Sequence, residues 1–387
     1  MAAPPLLDEL VEEILLRVPP DEPAGLVRAA LACKGWCRLV SGPGFRRRFR
    51  QRHRRPPLLG ILRNFTDEDG ASIVRFVPTC SFRPAPADRR GWYALDARHG
   101  RVLLHGAPWM FEPVAVLAVW NPVTDEQRAL PALRLVPHMY SWNAAVLCAA
   151  AAGDCDHLDC HHGPFLVVFV GTHRQGMSIY VYSSESDTWS KPASALHLYS
   201  LSVQVRGVHV GNTLYFVLEN TSRILMYDLD TWEIYTTRIL KYDLGTWEIT
   251  LIDSPPMSND HIVLTTAEGG GLGSATVKGS IICLWSREAG PNGDMGWRQI
   301  KVIDFKMPIP DDRITNRIDV VGFADGGGVI YVGTDRGSFI TDLNSERFRK
   351  VGGINGVDDI VLYLSFYTPA LGVTSIGEGP RDGASHS

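Results

Sequence analysis

The stretch Ile179-Tyr-Val-Tyr-Ser-Ser-Glu-Ser-Asp-Thr-Trp189 contains the unit that recurs through most of this chain. A short apolar strand ends at Tyr182, a polar turn follows, and a second strand begins. The same form appears at three other places: Trp120-Asn-Pro-Val-Thr124, Tyr227-Asp-Leu-Asp-Thr231 and Thr341-Asp-Leu-Asn-Ser345. Trp285 opens a related unit with a longer turn. Spaced repeats that each form a small antiparallel sheet indicate a β-propeller.

The region that carries these units begins at Leu58 and is predicted to be mostly β-structure. Short apolar segments are separated by Gly, Pro, Asn and Asp, and no segment has the periodicity of a long helix. A β-sandwich is the alternative architecture, but residues 58–375 are many for a sandwich. We therefore predict a β-propeller of about six blades over residues 58–375, followed by a flexible tail over residues 376–387.

One segment of the predicted β domain is present twice at close range. Arg223-Ile-Leu-Met-Tyr-Asp-Leu-Asp-Thr-Trp-Glu-Ile234 is nearly repeated, 15 residues later, as Arg238-Ile-Leu-Lys-Tyr-Asp-Leu-Gly-Thr-Trp-Glu-Ile249. A propeller repeat needs roughly 40 to 50 residues. The sequence therefore predicts a local duplication of one hairpin and not an additional blade.

Before Leu58 the pattern is helical. Apolar residues recur every three or four positions near the start of the chain, and acidic residues lie between them. Pro19 ends this first helix, and Pro23 suits the first turn of a second. We predict three short helices within residues 1–49, so that the fold class is α+β with two domains. Helices this short bury little area alone, and they form either a cap on the β domain or a docking module with an exposed apolar face.

Two blocks of the helical region resemble the F-box. Pro5-Leu-Leu-Asp-Glu-Leu-Val-Glu-Glu-Ile-Leu-Leu-Arg-Val-Pro19 is similar to its opening helix. Leu31-Ala-Cys-Lys-Gly-Trp-Cys-Arg-Leu-Val40 is similar to its later Cys–Lys–x–Trp segment. The β domain also resembles the propeller-like domains of plant F-box proteins, particularly those of grasses, in Ala94-Leu-Asp-Ala-Arg-His-Gly-Arg-Val-Leu-Leu104 and Leu117-Ala-Val-Trp-Asn-Pro-Val-Thr124.

The F-box resemblance implies a partner and a set of contacts. F-box modules bind a Skp-type adaptor, and through it a cullin scaffold, by apolar helix faces. Carried over residue by residue, the resemblance gives ten expected adaptor contacts, some of which instead form the module's own core. They are Pro5, Leu6, Leu10, Ile14, Leu15, Pro19, Leu26, Val27, Cys33 and Trp36.

Seven arginines lie between Phe45 and Arg55. Such density can bind nucleic acid or a nuclear import receptor. The run has no regularly interleaved aromatic residues, however, and it precedes Pro56-Pro57, which is typical of a linker. We predict a basic linker over residues 50–57 and expect no nucleic-acid partner.

Composition indicates an ordinary globular protein: 45% of residues are hydrophobic, 21% are charged, and the formal net charge is −4. Neither a secretory signal nor a run of the roughly 20 apolar residues that cross a membrane is visible. The seven cysteines are scattered without a disulfide-scaffold pattern. We expect a reducing, cytoplasmic or nuclear location, without secretion or membrane contact.

One loop is rich in metal-binding residue types. Cys155, His157, Cys160 and either His161 or His162 would supply four donors to zinc. No Cys-x-x-Cys pair orients the first ligands, and the segment lies between two apolar strands. The sequence therefore favours a polar loop with free thiols, and no metal site or other cofactor site is predicted.

Signatures of catalysis are not found. The chain has no Gly-x-Ser-x-Gly elbow, no phosphate-binding loop ending in Gly-Lys-Ser/Thr and no His-Glu-x-x-His. The paired carboxylates Asp311-Asp312 and Asp358-Asp359 are typical of solvent-facing loops. No catalytic residue is predicted.

Two function classes follow from these observations. The first is a non-catalytic substrate receptor of a Skp–cullin–F-box (SCF) ubiquitin ligase, in which the helical module binds the adaptor and the β domain binds a target protein of unknown identity. The alternative is a β-propeller hydrolase or lyase with a helical N-terminal cap. Loss of adaptor binding on removal of the helical region would distinguish the two.

Overall fold

The chain folds into a small helical module and a mostly β domain arranged as a six-bladed propeller. No helix in the described part of the chain has the length and apolar composition of a membrane-spanning segment. The computed structural model describes residues 8–106, 114–150, 155–190, 193–195, 200–201, 205–219, 238–256, 262–267, 269–291, 293–304, 318–324, 328–334, 337–343, 348–352 and 359–369.

The helical module has four helices, one more than the sequence predicts. Asp8 and Glu9 lie in the first turn of the first helix, where acidic side chains oppose the positive end of the helix dipole. The second and fourth helices each begin with a proline, whose missing N–H costs nothing at that position. The helices are α1 Asp8–Leu15, α2 Pro23–Ala32, α3 Lys34–Ser41 and α4 Pro43–His53.

The unexpected helix, α4, is formed by the arginine-rich segment. Phe45 and Phe49 lie one turn apart on its inner face, almost completely buried, with their ring centroids 5.9 Å apart. Arginine is a good helix former, and the arginines around these two rings mask the short apolar stripe in the sequence. Because α4 continues to His53, residues 50–53 of the predicted linker form its last turn.

The described residues of the propeller form twenty-eight strands. In chain order they are β1 Leu58–Thr66, β2 Ser72–Pro78, β3 Asp88–Arg90, β4 Trp92–Arg98, β5 Arg101–Gly106, β6 Val114–Ala115, β7 Leu117–Trp120, β8 Gln127–Ala129, β9 Leu133–Arg134, β10 Met139–Cys148, β11 Phe165–His173, β12 Gly176–Ser183, β13 Thr188–Trp189, β14 Ala193–Ala195, β15 Ser200–Leu201, β16 Val208–Val210, β17 Thr213–Glu219, β18 Arg238–Asp243, β19 Ile249–Asp253, β20 Ile262–Thr266, β21 Leu272–Lys278, β22 Ile281–Ala289, β23 Met295–Asp304, β24 Ile318–Ala324, β25 Val329–Thr334, β26 Gly337–Asp342, β27 Phe348–Val351 and β28 Ile360–Leu364.

Six antiparallel sheets form the blades, each with its innermost strand at the centre of the ring. From the inside outward the central paths are β28-β1-β2-β3, β4-β5-β7-β8, β10-β11-β12-β13, β15-β17-β18-β19, β20-β21-β22-β23 and β24-β25-β26-β27, which we call blades 1 to 6. β14 pairs with β12, β16 pairs with β17, and β6 and β9 form a separate two-stranded ribbon. The predicted β-propeller of about six blades is confirmed, and the alternative of a β-sandwich is wrong.

The last strand closes the ring. β28 pairs with β1, with Ile61 opposite Leu362, so the end of the chain provides the innermost strand of the first blade. The first and last parts of the β domain are thereby held in one sheet. This arrangement leaves no gap between blade 6 and blade 1, since β28 also contacts the inner strands β24 and β4 of the neighbouring blades.

The strand–turn unit quoted from the sequence connects the third strand of a blade to its outermost strand. In blade 2 the Trp120 indole N–H donates to Asp125 Oδ1 (3.0 Å), and in blade 3 the Tyr182 hydroxyl donates to Asp187 Oδ1 (2.7 Å). Both aspartates have a left-handed backbone, with φ of 58° and 54°, which this residue type tolerates. The buried aromatic ring therefore anchors the turn that follows it.

The duplicated segment contributes to blade 4. Its second copy supplies β18, the third strand of that blade, and the turn that leads into the outermost strand, β19. The first copy, residues 223–234, lies outside the described residues. The prediction that one copy is an extra hairpin stays a prediction.

The helical module lies at one end of the propeller. In an antiparallel sheet, the turn after the first strand and the turn after the third strand lie at the same end. The module contacts such turns: Ser81 follows the third strand of blade 1, and Leu158 follows the first strand of blade 3. Phe366, just beyond the end of β28, packs into the module's core at the same end. The described residues of the module make these contacts at one end of the propeller and do not reach the opposite end.

Candidate functional site

Three large apolar side chains in the described part of the helical module are exposed. The exposed fraction is 53% for Leu10, 57% for Ile14 and 79% for Leu31. Among the described residues, Leu31 and Ile14 are the two most exposed large apolar side chains. Apolar side chains that a small module leaves uncovered are typical of a surface that binds a protein partner.

Helix α1 has apolar residues on two adjoining sides, and only one of these sides packs in the core of the module. Val11 and Leu15, four residues apart, are 3% and 5% exposed and pack in the core of the module. Leu10 and Ile14, also four residues apart, lie on the adjoining side. A helix that served only its own core would carry polar residues there. We call the side formed by Leu10 and Ile14 the docking face.

The structure divides the ten predicted adaptor contacts into exposed, half-buried, buried and undescribed residues. Leu10, Ile14, Pro19 and Cys33 are exposed, Val27 and Trp36 are half-buried, Leu15 and Leu26 are buried in the core of the module, and Pro5 and Leu6 lie outside the described residues.

Sequence reasoning missed Leu31, although a signal for it exists. Leu26 and Ala29 are the residues by which the middle of α2 enters the core. Leu31 follows Leu26 by five residues, which places it about 140° away around the helix. A leucine at that angle points away from the core of the module, and its exposure could have been recognised from this spacing.

The corner between α2 and α3 is fixed locally. Cys33 has an extended backbone (φ −160°, ψ 161°) and its Sγ accepts a hydrogen bond from the Trp36 N–H at 3.4 Å, which caps the start of α3. Trp36 packs against the core of the module. The exposed Leu31 and Cys33 are therefore carried on a rigid corner.

The docking face is held in place by contacts between α1 and α4. The Arg48 guanidinium forms an ion pair with Glu12, and the His53 ring lies with Nε2 3.1 Å from the Leu16 carbonyl oxygen. Arg52 of α4 also lies with its Nη1 3.6 Å from Glu13 Oε1. Each surface pair contributes little alone, but together with the buried Phe49 they fix the rotation of α1.

The junction between the helical module and the propeller is specific. The Ala24 N–H donates to Ser81 Oγ (3.1 Å), and Phe49 packs edge-on against Phe366 with ring centroids 6.2 Å apart. The nearly buried Arg50 guanidinium forms an ion pair with Asp159. Burial lowers the pKa of Arg50, and the Asp159 charge acts in the opposite direction. The module is therefore oriented relative to the propeller.

A cavity of about 560 Å³ lies beside this junction. His99, His157 and His209 line it, and Trp247 and Phe366 form part of its apolar wall. Burial lowers the pKa of His99 to about 3 and that of His209 to about 4, so both imidazoles are neutral at physiological pH. Neutral imidazoles can accept hydrogen bonds or bind metals.

Two aromatic residues near the start of β10, Tyr140 and Trp142, differ in exposure. The Trp142 ring is buried and stacked on Phe169 with centroids 5.1 Å apart, in the core between blades 2 and 3. Tyr140 is 49% exposed and lies near the end of the propeller that the module leaves open. Only Tyr140 is therefore available to a partner.

Of the acidic pairs considered for acid–base chemistry, only Asp359 is described. Its Oδ1 lies 3.1 Å from Arg206 Nη2, near the centre of the propeller. Arg206 Nε also donates to the Ile360 carbonyl oxygen at 2.9 Å. These contacts join blade 1 to the segment between β15 and β16 of blade 4, so Asp359 has a structural role. Asp311, Asp312 and Asp358 lie outside the described residues.

Comparison with known proteins identifies the helical module. Residues 6–48 match the family model of the F-box domain. A search of curated proteins found no match to the chain.

Solved structures that this chain is similar to include three that are each 10% identical to it. The β-propeller domain of the Trilobed protease from Pyrococcus furiosus gives a TM-score of 0.35, with 74% of this chain and 77% of that chain covered. TolB from Acinetobacter baumannii gives 0.39, with 79% and 67% covered. Oligogalacturonate lyase from Vibrio parahaemolyticus gives 0.35, with 76% and 86% covered.

The fold and the exposed apolar surface define a two-part protein, with a helical docking module attached to one end of a propeller. The module is an F-box domain, and the propeller has six blades.

Proposed function

We propose that this chain is a substrate-receptor subunit of an SCF-type ubiquitin ligase. In this role the F-box domain binds a Skp-type adaptor, and through it a cullin scaffold, while the propeller binds the protein to be ubiquitinated. The observation that carries the proposal is the exposed apolar surface of the F-box domain, which includes the docking face of α1 and Leu31.

The sorting of the predicted contacts by exposure supports this role. The core of the module is complete without Leu10 and Ile14, because α1 uses Val11 and Leu15 for packing. Burying the exposed halves of two such side chains would contribute on the order of 2–3 kcal/mol to adaptor binding. We propose that Leu10, Ile14, Pro19, Leu31 and Cys33 contact the adaptor, and that Leu15 and Leu26 stabilise the module.

We propose further that the target binds at the end of the propeller opposite the F-box domain. The module occupies the other end through Ser81, Leu158 and Phe366, and a partner bound there would compete with it. Turns on a rigid propeller are a common location for binding residues. Such an arrangement places target and adaptor on opposite sides of one rigid body, which contributes proximity and orientation to ubiquitin transfer.

Under this proposal the chain is a non-catalytic adaptor. The ubiquitin-transferring chemistry belongs to other subunits, and the contacts of Asp359 with Arg206 favour a structural use of this half-buried carboxylate. The purified chain should accordingly be inert towards ester, glycoside and phosphoester substrates.

The proposal is tested by comparing the full chain with a chain that begins at Pro57. The full chain should retain a Skp-type adaptor in a pull-down, and the shortened chain should lose it. Both forms should show the same β-structure by circular dichroism, which controls for loss of folding. Equal adaptor retention by both forms, or turnover of a hydrolase or lyase substrate that one point change in the propeller removes, would overturn the proposal.

A further inference from the structure

Four metal-binding side chains converge at the junction between the propeller and the F-box domain. Cys155, His157 and Cys160 come from the loop between β10 and β11, and Cys148 is the last residue of β10. One donor atom from each, three thiol sulfurs and one imidazole nitrogen, lies within 4.8 Å of every other. The sequence alone did not suggest Cys148, because strand pairing is what brings β10 beside the end of the loop.

The spacing of the four donors suits a tetrahedral ion. Zinc binds thiolate sulfur at about 2.3 Å and imidazole nitrogen at about 2.0 Å, which separates two ligands of a tetrahedron by roughly 3.5 to 3.8 Å. Cys160 Sγ lies 3.7 Å from His157 Nδ1. The other pairs of donor atoms would reach such separations if their side chains moved by about 1 Å or less. Rotation of these exposed or half-buried side chains allows movements of that size.

The described part of the loop, residues 155–164, is already folded around this cluster. The His157 N–H donates to Cys155 Sγ at 3.3 Å, and His157 itself has a left-handed backbone, with φ of 57°. A short 3-10 helix, Cys160–His162, follows, and the Gly163 N–H donates to the Cys160 carbonyl oxygen at 2.9 Å. The Arg101 guanidinium donates to the carbonyl oxygens of both Cys160 and Gly163. The ligands are therefore held before any ion binds.

The orientation of the His157 imidazole is also fixed by a ring-stacking contact. Its ring stacks on the ring of His99, with centroids 4.1 Å apart and planes 2° from parallel. His157 and Cys148 both line the cavity at the junction, which provides an access route for an ion from solvent.

We propose that Cys148, Cys155, His157 and Cys160 bind one Zn²⁺ ion. Three thiolates and one imidazole form one of the ligand sets that structural zinc sites use, and such soft ligands disfavour magnesium and calcium. Four protein ligands leave no open position, so the ion is structural and not catalytic. A neighbouring group, Asp159, His161 and His162, is a poorer candidate because Asp159 is paired with Arg50.

The ion would connect the propeller to the F-box domain. Leu158, between two ligands, packs against the core of the module, and Asp159, next to Cys160, forms the ion pair with Arg50 of α4. Because Cys148 belongs to β10, the ion would also link the same loop to that strand of blade 3. Zinc would thus fix the loop on which the F-box domain rests. The proposal goes beyond the receptor role and does not depend on it.

The test uses the full chain, expressed in zinc-containing medium and purified under reducing conditions. Elemental analysis should find one zinc per chain. Cys148→Ser and Cys160→Ser should each lower this value to near zero, whereas Cys80→Ser, a half-buried cysteine far from the cluster, and His162→Ala should leave it unchanged. Retention of zinc by Cys148→Ser, or loss of zinc in His162→Ala, would overturn the ligand assignment.

A second measurement does not depend on the folding of the variants. Zinc is removed from the full chain with a chelator under reducing conditions, and Co²⁺ is added to the metal-free protein. The proposal expects one equivalent of Co²⁺ to develop the intense visible absorption of tetrahedral cobalt with thiolate ligands, and Zn²⁺ to abolish it at equal concentration. Absence of both zinc in the purified chain and this absorption, or a disulfide among the three cysteines by thiol counting under the same conditions, would overturn the proposal.

Discussion

The change Ile14→Asp should abolish adaptor binding and leave the chain folded. Ile14 is 57% exposed on the docking face, and the core contacts of α1 are made by Val11 and Leu15. Replacement of an exposed side chain typically changes the free energy of unfolding by no more than about 0.5 kcal/mol.

The loss of affinity has two sources. Burial of a whole isoleucine side chain contributes about 1.5–3 kcal/mol, so the exposed part of Ile14 supplies about 1–1.5 kcal/mol on binding. The new carboxylate must also lose its water in an apolar interface without a partner, which costs at least about 2 kcal/mol more. A total of about 3 kcal/mol corresponds to at least a ~100-fold weaker Kd.

Isothermal titration of the purified chain with a Skp-type adaptor would measure this loss, with Val116→Asp as the matched control. Val116 is 50% exposed, close to the value for Ile14, but it lies in the propeller. The Val116→Asp chain should bind the adaptor as tightly as the unchanged chain does. Equal affinity for Ile14→Asp and the unchanged chain, with both folded, would refute the reasoning.

Three further predictions concern stability. Leu15→Ala, at a side chain only 5% exposed in the core of the module, should lower the free energy of unfolding of the F-box domain by about 2–5 kcal/mol, measured by urea denaturation; a loss below about 0.5 kcal/mol would contradict this packing. Deletion of residues 223–237 leaves only 220–222 between β17 and β18, which is a normal hairpin length, so the melting temperature should stay within a few degrees; a large drop would mean that both copies of the duplicated segment are integral. Burial lowers the pKa of His105 to about 4 in the folded chain. The unfolded chain therefore binds a proton at this histidine below about pH 6.5, whereas the folded chain binds it only below about pH 4. Stability should therefore fall by up to about 1.4 kcal/mol per pH unit across that window, and His105→Leu should show a correspondingly smaller loss between pH 6.5 and 5 in urea titrations, whereas identical slopes would contradict it.

The parts of the fold that rest on local patterns could be predicted from the sequence. The spacing of apolar residues identified α1 and α2, and the aromatic–turn unit at Trp120 and Tyr182 indicated the blades. These patterns are local because each depends on a few consecutive residues and on the hydrogen bonds of one turn.

Features that depend on contacts between distant segments could not be predicted. The pairing of β28 with β1 joins opposite ends of the β domain, and nothing in the sequence of Ile360–Leu364 specifies its partner. The position of Cys148 beside Cys155 and Cys160 likewise follows from the pairing of β10 with β11. The same limitation applied to the docking face, because the spacing that places Leu10 and Leu15 on a helix does not say which of them the module buries.

The most direct test of the receptor role is the mass of the complex that the chain forms with a Skp-type adaptor and the N-terminal part of a cullin. Size-exclusion chromatography with light scattering measures this mass for the mixture of purified proteins. We predict one species whose mass is the sum of the three proteins, with the 42.7 kDa chain present once. With the Ile14→Asp variant, the mixture should instead contain the separate chain and an adaptor–cullin pair. If the unchanged, folded chain elutes alone at 42.7 kDa beside an intact adaptor–cullin pair, the receptor role is contradicted.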